Sequence, residues 1–442
     1  MKLNRRNFIQ KATVSAAGLG VFFIVPSEIW NQSVAPSDKI NLALIGCNSQ
    51  GFWDLKCHLD FGDSTCVALC DVDSKVLNER AEEIRRDYNT TPKIYKDFRK
   101  MLEQKDIGAV IIGTPDHWHC LHLVYACQAG KDVYVEKPMA NTIAECNIMV
   151  KAADYYNRVV QVGQQQRSGY VFQESMKMIK DGSIGKLRKV NIWGNFNYGT
   201  GTEIVADSSV PEGVDYDMWL GPAPLRPFNR SRFHGSWRHF WDYGGGLMSD
   251  WGVHLLDMGL WAKDLVEAPK KVMTYAANSS SEKKMRDTFD TMTVVYPKED
   301  YVINWDMTAG VQQGTYEKLY GLAFIGEKAT IVTDRNSYHV YPEWDDNIKA
   351  VKTEAKSYTD GKESHREHAR NFLDCIKSRN KPVCPPELGR VAALHAHIPN
   401  ICARTDEPVL FWDDVNSRFL NSEKANTYIK PEYRAPWTFP TI

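Results

Sequence analysis

Residues 39–71 read KINLALIGCNSQGFWDLKCHLDFGDSTCVALCD, and the rest of the chain is arranged around them. Residues 40–45 form a β-branched and apolar run that predicts a buried strand. Gly46-Cys47-Asn48-Ser49-Gln50-Gly51 is a small-residue turn opening a helix, and residues 67–70 predict a second strand ending on Asp71. A strand–turn–helix–strand unit that closes on a carboxylate is a dinucleotide cradle. Glycine lets the backbone approach a pyrophosphate, and the helix N-terminus offers free N–H groups and the positive end of a dipole. Asp71 follows Gly46 by 25 residues, the right place to accept hydrogen bonds from a ribose. The run Asp71-Val72-Asp73 offers no cation to a 2′-phosphate, which favours NAD over NADP. Asn48 stands where the G-x-G-x-x-G pattern has its second glycine. Asparagine tolerates left-handed backbone better than most residues, so the turn is expected to survive.

Beyond this unit, strands alternate with helices. Residues 109–113 predict a buried strand running into the polar turn Thr114-Pro115-Asp116-His117-Trp118-His119, with a helix over 121–130. Residues 133–135 form the next strand and deliver Glu136-Lys137-Pro138 to the same sheet edge; a helix over 144–157 and a strand over 159–162 follow. This alternation predicts an α/β domain over 38–162, a doubly wound parallel sheet of the Rossmann type. After Gly163 the strands come in succession, which predicts an α+β domain over 163–422 with a large, mostly antiparallel open sheet. Residues 423–442 read as a tail over the surface. An open sheet leaves a face to cover, and a homodimer or homotetramer is the expected solution.

The 442 residues carry 54 Lys and Arg against 55 Asp and Glu, so a net charge of -1 gives no electrostatic reason to expect a nucleic-acid partner. Residues 1–35 combine a basic start containing Arg5-Arg6, a mostly apolar stretch over 12–26 and the small-residue site Ser33-Val34-Ala35. This predicts a twin-arginine-type signal, export of the folded chain to the periplasm or beyond, and no membrane span in the mature protein. An ordinary secretory signal or an uncleaved anchor is the alternative. All ten cysteines lie beyond Ala35 without C-x-x-C spacing and read as buried free thiols. Histidines recur at 117, 119 and 122, at 365 and 368, and at 395 and 397, but no carboxylate or thiol cluster completes a site, so no metal is expected.

Two constellations carry chemistry. Pro138 fixes the direction of Lys137 at a strand end. In GGGLMSDWGVHLLD, residues 244–257, a helix starting after the glycines would make Asp250 and His254 i,i+4 neighbours, with Asp257 a turn further on to orient the imidazole. An ammonium, an imidazole and a carboxylate beside a nicotinamide are the parts that oxidise an alcohol. The connection from 196 to 243 is long, aromatic and Arg-rich, and loops of this length in compact domains are usually functional. Trp237, Arg238 and Trp241 are its candidates for sugar contact, with packing alone as the alternative. Gln165 and Arg167, after the sixth strand, are assigned to the nicotinamide and to the substrate.

The glycine loop with Asp71, the Thr-Pro…His run at 114–119, Glu136-Lys137-Pro138, Trp219-Leu220-Gly221-Pro222 and GGGLMSDWGVH together resemble the Gfo/Idh/MocA oxidoreductases. The resemblance implies an N-terminal Rossmann domain and a C-terminal α/β domain with an open sheet. It implies Lys137, Asp250 and His254 as catalytic groups. It places NAD contacts at Gly46, Ser49, Gln50, Gly51, Asp71, Thr114, Pro115, Asp116, Trp118, His119 and Glu136, to which Asn48, Lys137 and Gln165 are added by position. It implies a sugar, sugar derivative or cyclitol as substrate. The 114–119 run and the leader also resemble a secreted branch of NAD-dependent glycosidases, whereas Lys137 resembles the dehydrogenases. A non-catalytic binding protein on the same scaffold is the third possibility.

Overall fold

The computed structural model describes residues 39–442, and the leader expected at 1–35 lies outside the described residues. Six parallel strands make the first sheet: β1 (Ile40–Ile45), β2 (Ser64–Cys70), β3 (Lys93–Tyr95), β4 (Ala109–Ile112), β5 (Asp132–Val135) and β6 (Val160–Val162). Their order is β3-β2-β1-β4-β5-β6, with every neighbour parallel. The order reverses between β1 and β4, and a crevice opens there at the carboxyl ends of the strands. Strands buried on both faces explain the near-continuous apolar runs in β1, β4 and β5.

The second sheet has ten strands in the order β16-β13-β12-β11-β7-β10-β9-β8-β17-β18. They are β7 (Leu187–Gly194), β8 (Lys271–Ala277), β9 (Thr291–Pro297), β10 (Val302–Thr308), β11 (Tyr320–Gly326), β12 (Ala329–Thr333), β13 (Tyr338–Pro342), β16 (Lys356–Tyr358), β17 (Val409–Asp413) and β18 (Arg418–Phe419). A small ribbon of β14 (Trp344–Asp345) and β15 (Ala350–Val351) stands apart. β7 and β10 pair in parallel, while the other pairings of the large sheet are antiparallel. Alternation in β8, β9 and β10 sends Val272, Val294, Ile303 and Trp305 into the core and Met273, Tyr275 and Asp306 outward. Helices Val253–Trp261 and Pro386–Thr405 pack together in this core.

The later chain also completes the first domain. Helix His365–Ser378 packs on helix Ser49–Leu59, placing Phe372 beside Tyr134 and His58. Residues 423–442 do more than skirt the surface. Trp437 is buried against Phe98 and Trp118, and Arg434 donates to Asp217 Oδ1 at 2.6 Å. All ten cysteines are buried and unpaired. Among the described residues, no helix is long and apolar enough to cross a membrane.

Candidate active site

The glycine turn is shaped by contact. Gly46 has φ +84°, and a Cβ there would sit 2.8 Å from the backbone of Gly113 and Thr114. A Cβ on Gly51 would lie 2.3 Å from the Gly46 oxygen. Side chains at either position would push apart the backbones that form the cradle. Asn48 differs from expectation. Its backbone is extended (φ -91°, ψ 155°), and its side chain caps the helix by accepting from the Ser49 N–H at 2.9 Å. Gly46 and Ser49 (φ +39°) take the left-handed conformations instead. Asp71 accepts the Cys47 N–H at 2.6 Å on Oδ2 and the Asp73 N–H at 2.9 Å on Oδ1. Burial pushes its carboxyl up even against those bonds. A carboxylate has about four acceptor positions, so capacity remains for two ribose hydroxyls.

A cleft that spans about 1120 Å³, open solvent included, runs along this edge, with Gly46, Asn48, Ser49, Gln50 and Asp71 at its wall. Thr114, Pro115, Asp116, Trp118, Glu136 and Lys137 line it as well. The close-packed glycine cradle, the ribose-height carboxylate and the run from Asp71 to Lys137 fit a dinucleotide. Residues 116–119 are not a turn. They form the first turn of helix Asp116–Gln128, which starts five residues earlier than expected, with Asp116 at the favourable end of the helix dipole.

Past Glu136 the cavity meets the second domain. Lys137 Nζ lies 2.6 Å from Asp250 Oδ1 and 3.0 Å from the Asp250 carbonyl oxygen. Arg238 Nε donates to the same Oδ1 at 3.2 Å, and the Tyr198 hydroxyl donates to Oδ2 at 3.3 Å. Burial works to raise the Asp250 carboxyl, but Lys137 and Arg238 outweigh it and hold it far below the usual range. Asp250 is therefore a fixed anion. Residues 248–252 form a single π-helical turn ahead of helix Val253–Trp261, a local widening of the kind frequent at functional sites. His254 is buried with Nδ1 unpartnered, and burial together with the Lys137 charge holds its pKa well below the ordinary value. The ring is neutral. Behind Glu136 lies Asp54, whose Oδ1 accepts from Gln50 Nε2 at 2.8 Å. Burial and the neighbouring Glu136 charge raise Asp54 well above the carboxylate range, and burial raises Glu136 too. Burial of two neighbouring carboxyls disfavours the doubly ionised state.

Several expected residues fall elsewhere. Gly51 shapes the cradle from behind, and Gln165 Nε2 donates to His365 Nε2 at 3.1 Å, away from the cavity. His119 also lies behind the cavity wall, its ring nitrogens 2.8 Å from the Pro138 oxygen and 2.9 Å from the Thr114 oxygen. It supports the loop that carries Lys137. Arg167 lies outside the cavity wall, and its guanidinium is buried and donates at 2.8 and 2.6 Å to both oxygens of buried Asp257. Asp257 is thereby taken from the role of orienting His254. Trp237 and Arg238 do line the cavity, whereas Trp241 lies in a separate small pocket, 4.8 Å from the Arg404 guanidinium. His234, Gly235, Met218, Lys96 and Phe98 also line the cavity and have no local sequence signal, and Trp219, from the Trp219-Leu220-Gly221-Pro222 motif, lines it too. Among the described residues, no group of three or more His, Cys, Asp or Glu side chains could hold a metal ion.

Comparison with known proteins identifies both domains. Residues 40–164 match the family model "Oxidoreductase family, NAD-binding Rossmann fold", and residues 169–439 match "Oxidoreductase family, C-terminal alpha/beta domain". A glycosyl hydrolase family 109 protein of Shewanella pealeana is 30% identical over 209 residues, 42% of this chain and 45% of that protein. One of Shewanella baltica is 28% identical over 206 residues, so the chain spans less than half the length of the curated relatives it matches. Among solved structures, aldose-aldose oxidoreductase from Caulobacter crescentus has a TM-score of 0.62 at 18% identity, covering 84% of this chain and 99% of that one. Levoglucosan dehydrogenase in complex with NADH and levoglucosan has a TM-score of 0.63 at 18% identity, with the same coverage. At that identity the likeness is one of fold. With both domains matched over nearly all of the described residues, the chain belongs to the Gfo/Idh/MocA oxidoreductase family, and its first domain is that family's NAD-binding Rossmann domain.

Proposed function

We propose that this protein is an NAD(H)-dependent enzyme that oxidises or reduces a carbon bearing a hydroxyl or keto group on a sugar, sugar derivative or cyclitol. The observation that carries the reading is Lys137, at the end of the NAD cleft, held 2.6 Å from Asp250 across the domain boundary. Bound in the cleft, the nicotinamide supplies a reversible acceptor for hydride. The protein supplies the rest. Two of the three Nζ donor directions of Lys137 are spent on Asp250, leaving one for a substrate oxygen. Asp250 fixes that ammonium and balances its charge, so the cation can steady a developing alkoxide. His254 is neutral and buried outside the residues that line the cavity. With its pKa held well below the ordinary value it is a weak base, so its place in this reading is beside Lys137 rather than as the acceptor of the hydroxyl proton. Trp237 and Arg238 wall the approach.

A second reading, glycoside cleavage with no net change in the cofactor, is favoured by the glycosyl hydrolase family 109 relatives. The two separate on one measurement: NADH formed per molecule of product across a panel of free sugars and aryl glycosides. One NADH per product supports the first, and product without NADH supports the second. No turnover of any member, by protein that holds NAD, overturns both in favour of a binding protein. The twin-arginine-like start supports export after folding, tested by loss of export on changing Arg5 and Arg6 to Lys. Exposed Met273, Tyr275 and Phe411 on the outer face of the ten-stranded sheet support a homodimer or homotetramer, tested by light scattering.

A further inference from the structure

The cleft has a roof that the Rossmann domain does not supply. The connection from 196 to 243 crosses the mouth of the crevice and builds a core of its own from Tyr216, Trp219, Phe228, Phe233 and Tyr243. It is clipped to the first domain by backbone bonds: Ser74 N–H donates to the Gly213 oxygen at 3.0 Å, and Asp215 N–H to the Val72 oxygen at 2.9 Å. It touches the glycine cradle through His234. The ring stands 3.9 Å, centre to centre, from buried Phe233 and lines the same cavity as Gly46, Asn48, Ser49 and Asp71. His234 Nε2 lies 2.9 Å from Asp73 Oδ2, and Asn48 Nδ2 lies 3.4 Å from His234 Nδ1.

These contacts form a consistent set. Asn48 carries donors on Nδ2, so Nδ1 of the ring is the acceptor and Nε2 carries the proton given to Asp73. Asp73 is itself held, because its Oδ1 accepts the Lys75 N–H at 2.9 Å and caps the next helix. The loop places His234 at φ +44° and Gly235 at φ +86°, and a left-handed non-glycine residue is uncommon. The glycine missing at position 48 thus has a counterpart: the side chain there reaches across to a residue 186 positions away.

We propose that His234 is a cofactor-binding residue contributed by the second domain. Through Asn48 and Asp73 it closes the phosphate and ribose end of the cleft and slows release of the dinucleotide. The proposal rests on the reading of the cavity as the NAD site. Exchange of cofactor then requires the Asn48–His234–Asp73 bridge to open.

The test uses the whole chain with NADH as probe. Its release is followed by the loss of nicotinamide fluorescence on chasing with excess NAD, for the wild type, His234→Ala, His234→Gln and Asn48→Gly. Loss of one hydrogen-bonded bridge predicts release about tenfold faster for His234→Ala. Glutamine has both a donor and an acceptor, so His234→Gln should recover part of the difference. Asn48→Gly restores the family pattern yet should also release NADH faster, since glycine is well tolerated at an N-cap. Release within twofold of wild type in both His234→Ala and Asn48→Gly, with unchanged circular dichroism, overturns the proposal. A wild type that neither carries nor binds NADH overturns the cleft assignment itself, a result distinguishable from the first.

Discussion

The two walls of the active site are built by opposite means. The Rossmann wall is assembled from the ends of regular strands: Gly46 after β1, Asp71 after β2, Thr114 after β4 and Lys137 after β5. Each side chain is aimed by the element before it, and neighbouring strands fix the spacing. The facing wall comes from an irregular connection and a π-helical turn, in which Tyr198, His234, Arg238 and Asp250 are placed by contacts far apart in sequence. The first wall is specified locally and the second by tertiary packing. A change in the first wall should therefore act on chemistry or cofactor with the fold intact, while many changes in the second should act through stability.

The largest effect should come from Lys137→Ala. Removing a group that acts on the substrate proton or alkoxide costs about 10²–10⁴-fold in kcat, and the cradle for NAD is untouched. The check is kcat beside NADH binding and melting temperature. Retention of more than a tenth of the activity would detach Lys137 from the reaction. Next is Arg167→Ala. Asp257 would be left as a buried, unpaired carboxylate, and breaking such a pair costs about 3–5 kcal/mol of stability. Urea unfolding should show that loss, with the KM for sugar nearly unchanged in the folded fraction. A raised KM at full stability would return Arg167 to the substrate.

The same contrast explains what could be read from the sequence. Strand runs, turn glycines and Asp71 have short-range signatures, so the parallel sheet, its carboxyl edge and most of the residues that line the cleft on that edge are legible. The strands of the second domain are legible as period-two runs, but their order is not, because β7 pairs in parallel with β10 after an excursion of more than a hundred residues. Arg167 and Asp257 each look like site residues when taken alone, since each lies near a functional motif. Only the fold shows that they satisfy each other. His234 has no signature at all, being an exposed histidine in a long loop until Asn48 and Asp73 are brought beside it.

Acid should act across both walls. Burial pushes His58, His117, His119 and His397 down to about 4 from an ordinary 6.5. Between those values the unfolded chain binds protons that the folded chain refuses, so stability falls as pH falls. Each such histidine removes about 1.4 kcal/mol per pH unit in that window. The raised carboxyls Asp54, Asp71, Glu136 and Glu145 act in the opposite sense over the same range, so the histidine contribution is read ring by ring: an NMR titration of the folded chain should leave these four imidazoles neutral down to about pH 4. Protonation of any of them near 6.5 in the folded chain would remove its contribution.

The smallest effect on catalysis should come from Trp241→Ala, and it is the sharpest test of the facing wall. Trp237, Arg238 and Trp241 lie within five positions of one another in a stretch whose composition suits a sugar pocket. The structure divides them. Trp237 and Arg238 line the cleft, with the guanidinium 4.3 Å from the indole ring centre. Trp241 faces away from it, and Arg404 stands between its ring at 4.8 Å and that of Tyr428 at 4.3 Å. Its loss should cost about 1 kcal/mol of stability through that cation–π pair and change kcat/KM less than about twofold, since no group in the cleft is altered. Trp237→Ala should instead lower kcat/KM at least about tenfold, because an aromatic side chain is removed from the wall of the cleft. If the two substitutions prove equal in kcat/KM, the division of this stretch between binding and packing is wrong, and the small pocket around Arg404 belongs to the substrate as well.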